Sequence, residues 1–246
     1  MHVEEARVAP EAADGRLPSL SAFFPARDEE ANVVPMVEAL LRVLPAVAAR
    51  WELIIVDDGS RDATGRLADA LASEEAAVRV VHHATSRGYG GAIRAGLAAA
   101  RYEYVFFTDG DRQFDPAQIT RLIAALGRAD VVVGYRHARS DPLVRRLNGA
   151  GWNLLVRALL RLPVRDVNCA FKLFRRSALA GIAPEADGAM VSAELLARLA
   201  RAGRRIVEVP VDHYPRHYGV PSGANPRVVA RAFVELFRLY GRLRAA

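Results

Sequence analysis

Two acidic clusters in this 246-residue chain have the residue types and spacing to do chemistry. In FTDGDRQFDP, Asp109 and Asp111 stand one residue apart, behind the apolar run YVFFT and ahead of a helix start at Asp115 and Pro116. Carboxylates so placed at a strand end can present oxygens to a hard divalent cation, Mg²⁺ or Mn²⁺, and Gln113 can add a third. Such an ion would neutralise a diphosphate and act as a Lewis acid on its departure; the same spacing also occurs in plain turns. In ELIIVDDGS, Asp57 and Asp58 end another apolar run. They can accept hydrogen bonds from a nucleobase or from ribose hydroxyls, or form an Asp-Gly turn with Ser60 capping the next helix. The glycines of SRGYGGAIRAG, Gly88, Gly90 and Gly91, lack the G-x-G-x-x-G spacing, and the strand before them ends too early, which excludes a dinucleotide-binding dehydrogenase. His213 and His217 have the chemistry of a metal ligand or a base, and His213 is the candidate for a metal or diphosphate contact. His82 and His83 read as packing or turn residues, Cys169 as a small buried filler and Trp152 as core or interface.

Positioning these clusters requires strands that end where they begin. Apolar runs suited to buried parallel strands recur at 21–24, 52–56, 78–82, 104–108 and 130–134. Helical segments are predicted after Asn32, a candidate cap with Pro35 in the first turn, and at 63–75, 90–101 and 116–128. The last starts on Asp115 as cap, Pro116 at the first helical position and Gln118 completing a capping box. Alternating strands and helices imply an α/β fold, a mostly parallel sheet covered by helices on both faces, with ligands at the carboxyl ends of the strands. Beyond Tyr135 come a basic helical stretch at 143–162, a strand FKLFR, a helix at 192–201, a strand at 206–210, a loop HYPRHYGVPSGANP and a final helix at 226–244. The expected organisation is a flexible tail over 1–18, a catalytic body over 19–226 and an amphipathic helix over 227–246.

Composition narrows the class. The chain is 52% hydrophobic and 25% charged, which supports a sizeable core and excludes disorder. No run approaches the roughly 18 apolar residues of a spanning helix, residues 1–16 lack the apolar stretch of a secretory signal, and one cysteine suits a reducing compartment, so a cytoplasmic location is expected. Charge is split: residues 1–134 carry 14 Arg against 20 Asp and Glu, whereas 135–246 carry 19 Arg and Lys172 against 8. The basic half should face something anionic, a phosphorylated small molecule or an acidic membrane surface; a nucleic-acid partner is disfavoured because no basic stripe interleaved with aromatics is present.

Taken together, PARDEEANV, ELIIVDDGSRDAT and FTDGDRQFDP resemble the family 2 glycosyltransferases of the GT-A fold, over roughly residues 20–225. VGYRHAR, RDVNCAFKLFRR and the EVPV stretch are most similar to its polyprenyl-phosphate branch, which includes the dolichyl-phosphate mannose and glucose synthases. The resemblance implies an inverting, metal-dependent transfer of a sugar from a nucleoside diphosphate sugar to a polyprenyl phosphate. It places Pro25, Ala26, Glu29, Asp57, Asp58, Gly88 and Gly110 on the donor, and Asp109, Asp111 and Gln113 on the metal and diphosphate. Arg136, Arg145 and Arg146 would meet the acceptor phosphate, and Arg216 and Ser222 would lie on a loop closing over the diphosphate. The chain departs from the usual pattern at Arg27-Asp28, Ser86, Asn168-Cys169-Ala170 and Pro221-Ser222-Gly223, which bears on the sugar and the acceptor rather than on the reaction. A phosphate acceptor is largely dianionic at neutral pH and needs no base; a soluble hydroxyl acceptor would need one, for which Glu194 is the candidate. A sugar-nucleotide sensor without activity is the remaining alternative. The apolar face of the final helix can pack on the body, pair two copies of the chain as a homodimer, or dock on a membrane surface, and 143–162 shares that last potential; docking would place the protein peripherally on the inner face.

Overall fold

The structure is a computed structural model describing residues 15–139, 143–216 and 226–245. Seven strands form one mixed sheet in the order β3-β2-β1-β4-β6-β5-β7. They are β1 (Leu17–Ala26), β2 (Ala48–Asp57), β3 (Val78–His82), β4 (Tyr104–Thr108), β5 (Val131–Arg139), β6 (Phe171–Arg175) and β7 (Ile206–His213). β1 pairs in parallel with β2 and β4, β2 with β3, and β5 with β7, while β6 runs antiparallel between β4 and β5. This is the mostly parallel α/β sheet expected. Leu20, Phe23, Ile54, Ile55, Val105 and Phe106 have no exposed surface. Burial of such a side chain contributes roughly 1.5–3 kcal/mol each, so these hydrophobic runs drive the sheet's formation.

The helices are α1 (Glu30–Val47), α2 (Thr64–Glu74), α3 (Gly88–Ala99), α4 (Ile119–Ile123), α5 (Leu143–Leu160), α6 (Val191–Arg201) and α7 (Pro226–Ala245). Three expectations need correction. β1 already includes Leu17, fully buried and paired with Ala48, so ordered chain begins inside the stretch expected as a tail. Asn32 lies within α1 and does not cap it. The N–H groups of Glu29 and Glu30 are instead satisfied by Thr64 Oγ1 (2.8 Å) and Asp62 Oδ2 (3.1 Å), so the loop after β2 supplies the cap. The segment 116–128 is a short α4 between two 3₁₀ turns. Asp115 does accept from the Ala117 N–H at 3.0 Å, but Gln118 is drawn away from a capping box to pair with the backbone of Asp212 in β7.

α3 packs tightly on the sheet. A Cβ on its Gly96 would lie 2.1 Å from the Phe23 ring, where no side chain fits without displacing β1. Gly96→Ala should therefore cost about 1–3 kcal/mol and lower the melting temperature by several degrees, whereas Gly241→Ala, with open space around it, should not. Thermal melts of the two variants would check this; equal melting would refute the close approach.

Candidate active site

Because β1 lies between β2 and β4, the carboxyl ends of these three parallel strands converge. Ala26 is in register with Asp57, and Phe23 with Phe107, two residues before Asp109. Gly110 is needed at this junction, since a Cβ there would meet the Pro25 carbonyl at 2.8 Å and the Phe24 ring at 2.9 Å. Asp28 (φ 53°) and Arg112 (φ 60°) hold left-handed backbone in the loops beside the two clusters. Such conformations cost about 1–2 kcal/mol in non-glycine residues and are found where a site constrains the chain.

The Asp109 and Asp111 carboxyl groups are crowded together. Burial, reinforced by the charge of Asp111, pushes the pKa of Asp109 up to about 7. Burial also raises that of Asp111. Tyr89 Oη donates to Asp109 Oδ1 at 2.7 Å and fixes its orientation. Positive charge surrounds the pair: Lys172 and Arg136 act on Asp109, and an Arg216 nitrogen stands 3.7 Å from Asp111 Oδ2 while donating to Glu29. Among the described residues no further His, Cys, Asp or Glu joins the two aspartates in a ready-made metal cluster. The donor set therefore fits a hard cation that takes two carboxylates from the protein and its remaining oxygens from a diphosphate and water.

Gln113 also ties two segments of the site together. Its carbonyl accepts from the Tyr214 N–H at 2.8 Å and its Nε2 donates to the Tyr214 carbonyl at 3.1 Å, tying the Asp111 loop to the segment that carries Arg216. Its backbone N–H also donates to Asp111 Oδ1 at 3.1 Å. His213 packs edge-on against Phe114, with ring centres 5.1 Å apart.

On the other flank the two aspartates of the DDGS cluster are already engaged. Asp58 receives Ser86 Oγ (2.6 Å), the Arg87 N–H (2.8 Å) and the Gly88 N–H (3.1 Å), and is bonded to His83 Nδ1 at 2.6 Å. Burial opposes the charge on Asp58, but these bonds outweigh it and hold the carboxyl below its ordinary pKa. Its carboxylate thus clamps the first turn of α3, the turn that carries Tyr89. Asp57 accepts the Ser60 N–H at 3.0 Å and is bonded to His82, whose other nitrogen reaches Asp69. The histidines read from sequence as packing residues are thus partners of both carboxylates.

The remaining expected residues separate into groups. Arg136 lies by Asp109 and forms a two-pronged pair with Asp166 at 2.7 and 2.8 Å. Arg145 and Arg146 fall on α5, and Ser222 and His217 lie outside the described residues. Glu194, fully buried, accepts from the N–H groups of Glu185 (2.9 Å) and Ala186 (2.7 Å) and from Arg198 (2.9 and 2.7 Å). Oε2 holds the loop at 185–186 and Oε1 takes the Arg198 guanidinium, so both oxygens are engaged, which argues against use of Glu194 as a base. Sequence reading did not pick out Tyr89, Asp166 or Lys172 as site residues. Lys172, the one lysine, is buried beneath the site, donating to the Cys169 carbonyl with its ammonium 5.8 Å from the Phe107 ring centre. Cys169 is buried and its thiol pushed up to about 12, which makes it inert.

The sequence pattern of Glycosyl transferase family 2 matches residues 21–182, a span that contains the strand-end clusters. The chain belongs to this family. This glycosyltransferase is 32% identical over 198 residues to an undecaprenyl-phosphate mannosyltransferase of Micrococcus luteus, covering 76% of this chain and 81% of the relative. It is 30% identical over 220 residues to a polyprenol monophosphomannose synthase of Mycolicibacterium smegmatis, covering 83% and 82%. Its similarity thus runs to the polyprenyl-phosphate members of the family. Some relatives are much longer, and the chain spans 32% of glycosyltransferase AglD of Haloferax volcanii. Its GT-A fold matches that of glucosyl-3-phosphoglycerate synthase of Mycobacterium tuberculosis, solved with Mn²⁺, uridine diphosphate and glucosyl-3-phosphoglycerate, at a TM-score of 0.68 and 23% identity over 91% of this chain and 80% of that one.

The raised pKa of Asp109 carries a stability consequence for this glycosyltransferase. An acid whose pKa is higher in the fold than in the unfolded chain stabilises the fold at low pH, and that contribution is lost as pH rises through about 7. Asp109→Asn, neutral and nearly isosteric, should then melt a few degrees above the wild type at pH 8 in a chelator, with the gap shrinking toward pH 5. Melting curves at the two pH values would show it, and a gap independent of pH would contradict it.

Proposed function

We propose that this glycosyltransferase transfers a sugar, with inversion at the anomeric carbon, from a nucleoside diphosphate sugar to the phosphate of a polyprenyl phosphate, in the presence of Mg²⁺ or Mn²⁺. The observation that carries the reading is the Asp109 and Asp111 pair, faced by Arg216 at the converging strand ends, in a chain whose relatives are named for sugar transfer to polyprenyl phosphates. The cation, when bound, would supply charge neutralisation and Lewis acidity for the departing diphosphate. Asp109 and Asp111 would hold it, with Tyr89 keeping the Asp109 carboxylate turned. Arg216, within reach of Glu29 and Asp111, would meet the remaining charge of the diphosphate. Pro25, Ala26, Glu29 and Asp57 would border the base and ribose, while Asp58 holds the frame around them.

A phosphate nucleophile fits the rest of the site. Its second pKa is about 6, so the attacking oxygen is already largely ionised at neutral pH and no proton has to be removed. That agrees with the engagement of both Glu194 oxygens. Arg136, held by Asp166, and Arg145 and Arg146 on α5 would bind and aim the acceptor phosphate through paired N–H donors. Transfer should occur to a polyprenyl phosphate and fail with the corresponding polyprenol. Asp111→Asn should lower turnover about a hundredfold, equivalent to ~2.7 kcal/mol, with the fold preserved. Equal use of the polyprenol, or full activity of Asp111→Asn in a chelator, would overturn the reading.

A lipid acceptor must be met at a bilayer, and among the described residues no helix is long and apolar enough to cross one. α7 buries Leu236, Leu239 and Leu243 against the protein. The apolar face of the final helix is thereby divided: Leu236 lies inside, Phe237, 58% exposed, points outward, and Phe233 stacks edge-on with Trp152 of α5 at 4.9 Å. Leu154 of α5 is 66% exposed, and Arg161 and Arg238 are exposed as well. Apolar side chains at the surface with arginines nearby suit reversible docking on anionic lipid, each arginine contributing on the order of 1 kcal/mol. Sedimentation with liposomes should show binding that requires anionic lipid, falls steeply with salt, and weakens in Phe233→Ser/Phe237→Ser. Binding that ignores lipid charge, or its absence from both lipids, would count against docking.

A further inference from the structure

At the other end of the sheet, where the parallel strands begin, lies a cleft of about 1080 Å³. It is remote from Asp57 and Asp109, because Ser19 of β1, Arg50 of β2 and Glu103 just before β4 line it. Its notable feature is uncompensated positive charge. Arg50 lies over the Tyr102 ring, 5.7 Å from its centre, and Arg176 is exposed; among the described residues neither has a carboxylate partner. Arg101, its side chain 64% exposed, comes only within 4.0 Å of Glu52. That carboxylate is already taken by Ser21, by the guanidinium of Arg79 and by the backbone N–H of Arg101. Of the four arginines, only Arg94 is firmly paired, with Asp187 at 2.6 Å.

The sheet register sets the spacing of these charges. Ser19 pairs with Arg50, Leu20 with Tyr104, and Tyr104 with Arg175, so Arg50 and Arg176 emerge on either side of β1 and β4. Three strand spacings separate them, about 14 Å. Leu97, Leu179 and Ile182 form an apolar wall between the rims. Four guanidinium groups set against the single lining carboxylate of Glu103 in a concave site favour phosphate oxygens, and rims this far apart favour a ligand with more than one anionic group. We propose that this cleft is a second binding site, for a small polyphosphorylated molecule, separate from the donor site at the opposite strand ends. Occupancy would be felt along the chain: Ala183 and Pro184 line the cleft, and three residues later the Asp187 carbonyl accepts the Gly90 N–H in the first turn of α3 at 2.8 Å.

Tripolyphosphate, a linear polyanion with neither base nor sugar, is a suitable probe, used in a chelator so that no metal draws it to Asp109 and Asp111. Calorimetric titration should give the same affinity for wild type and Asp111→Asn, and a loss of at least tenfold in Arg50→Ala/Arg176→Ala. Arg42→Ala, which removes an exposed charge elsewhere, should bind as the wild type does. Hydrogen exchange should slow at 97–103 and 176–184. If the double variant melts early, Arg176→Glu alone should still lose affinity. Undiminished binding by the cleft variants, protection confined to 86–91 and 109–113, or no binding at millimolar probe would overturn the proposal. None of these readouts depends on sugar transfer, so failure here is distinguishable from failure of the proposed reaction.

Discussion

Two carboxyl groups forced together at the end of one buried strand impose the main constraint on this protein. Asp109 and Asp111 cannot both carry charge cheaply in partial burial, and everything near them answers that problem. Tyr89 donates a hydrogen bond to the more perturbed of the two, Lys172 and Arg136 place positive charge around it, and Arg216 stands by the other. Such an arrangement is poor for stability, and the mutual repulsion is of the kind that a bound cation would relieve. The fold tolerates the strain because the strand beneath is anchored on both sides, by β1 in parallel and β6 in antiparallel pairing.

Rigidity is supplied by a chain of hydrogen bonds that runs around the site. Asp58 holds the first turn of α3, that turn presents Tyr89 to Asp109, the Asp187 carbonyl accepts from Gly90 behind it, and Glu194 secures the loop that carries Asp187. A Cβ on Gly90 would fall 1.9 Å from the Ala186 carbonyl, so the contact depends on glycine. Asp58 and Glu194 therefore act as positioning groups. Their buried carboxylates are saturated by donors, so neither leaves an unpaired polar atom in the interior.

The strands and the acidic clusters were legible because each is local. Runs such as LIIV and YVFFT have one reading in an alternating α/β pattern, and carboxylates next to them must lie at strand ends. What escaped was non-local. Nothing near Gln118 in sequence announces that Asp212 will claim its side chain, so a capping box was the natural reading. The cap of α1 comes from Thr64 and Asp62, more than thirty residues away. Tyr89 sits in a glycine-rich stretch that fails a known fingerprint, and its role becomes visible only once β4 is placed beside α3. At Glu194 the sequence shows a carboxylate and not the four donors that fold around it.

The split in charge along the chain acquires a spatial meaning at the site. The acidic members, Glu29, Asp109 and Asp111, come from the first half, and the cations that face them, Arg136, Lys172 and Arg216, from the second. An arginine-rich composition by itself would scatter guanidinium groups over the surface. Here the second half returns through β5, β6 and β7 to lay its charge against carboxylates displayed by β1 and β4, so that neither half could form the site alone. The antiparallel β6 is the link, for it carries Lys172 beneath Asp109 and lies between the strand that bears the acids and the strand that bears Arg136.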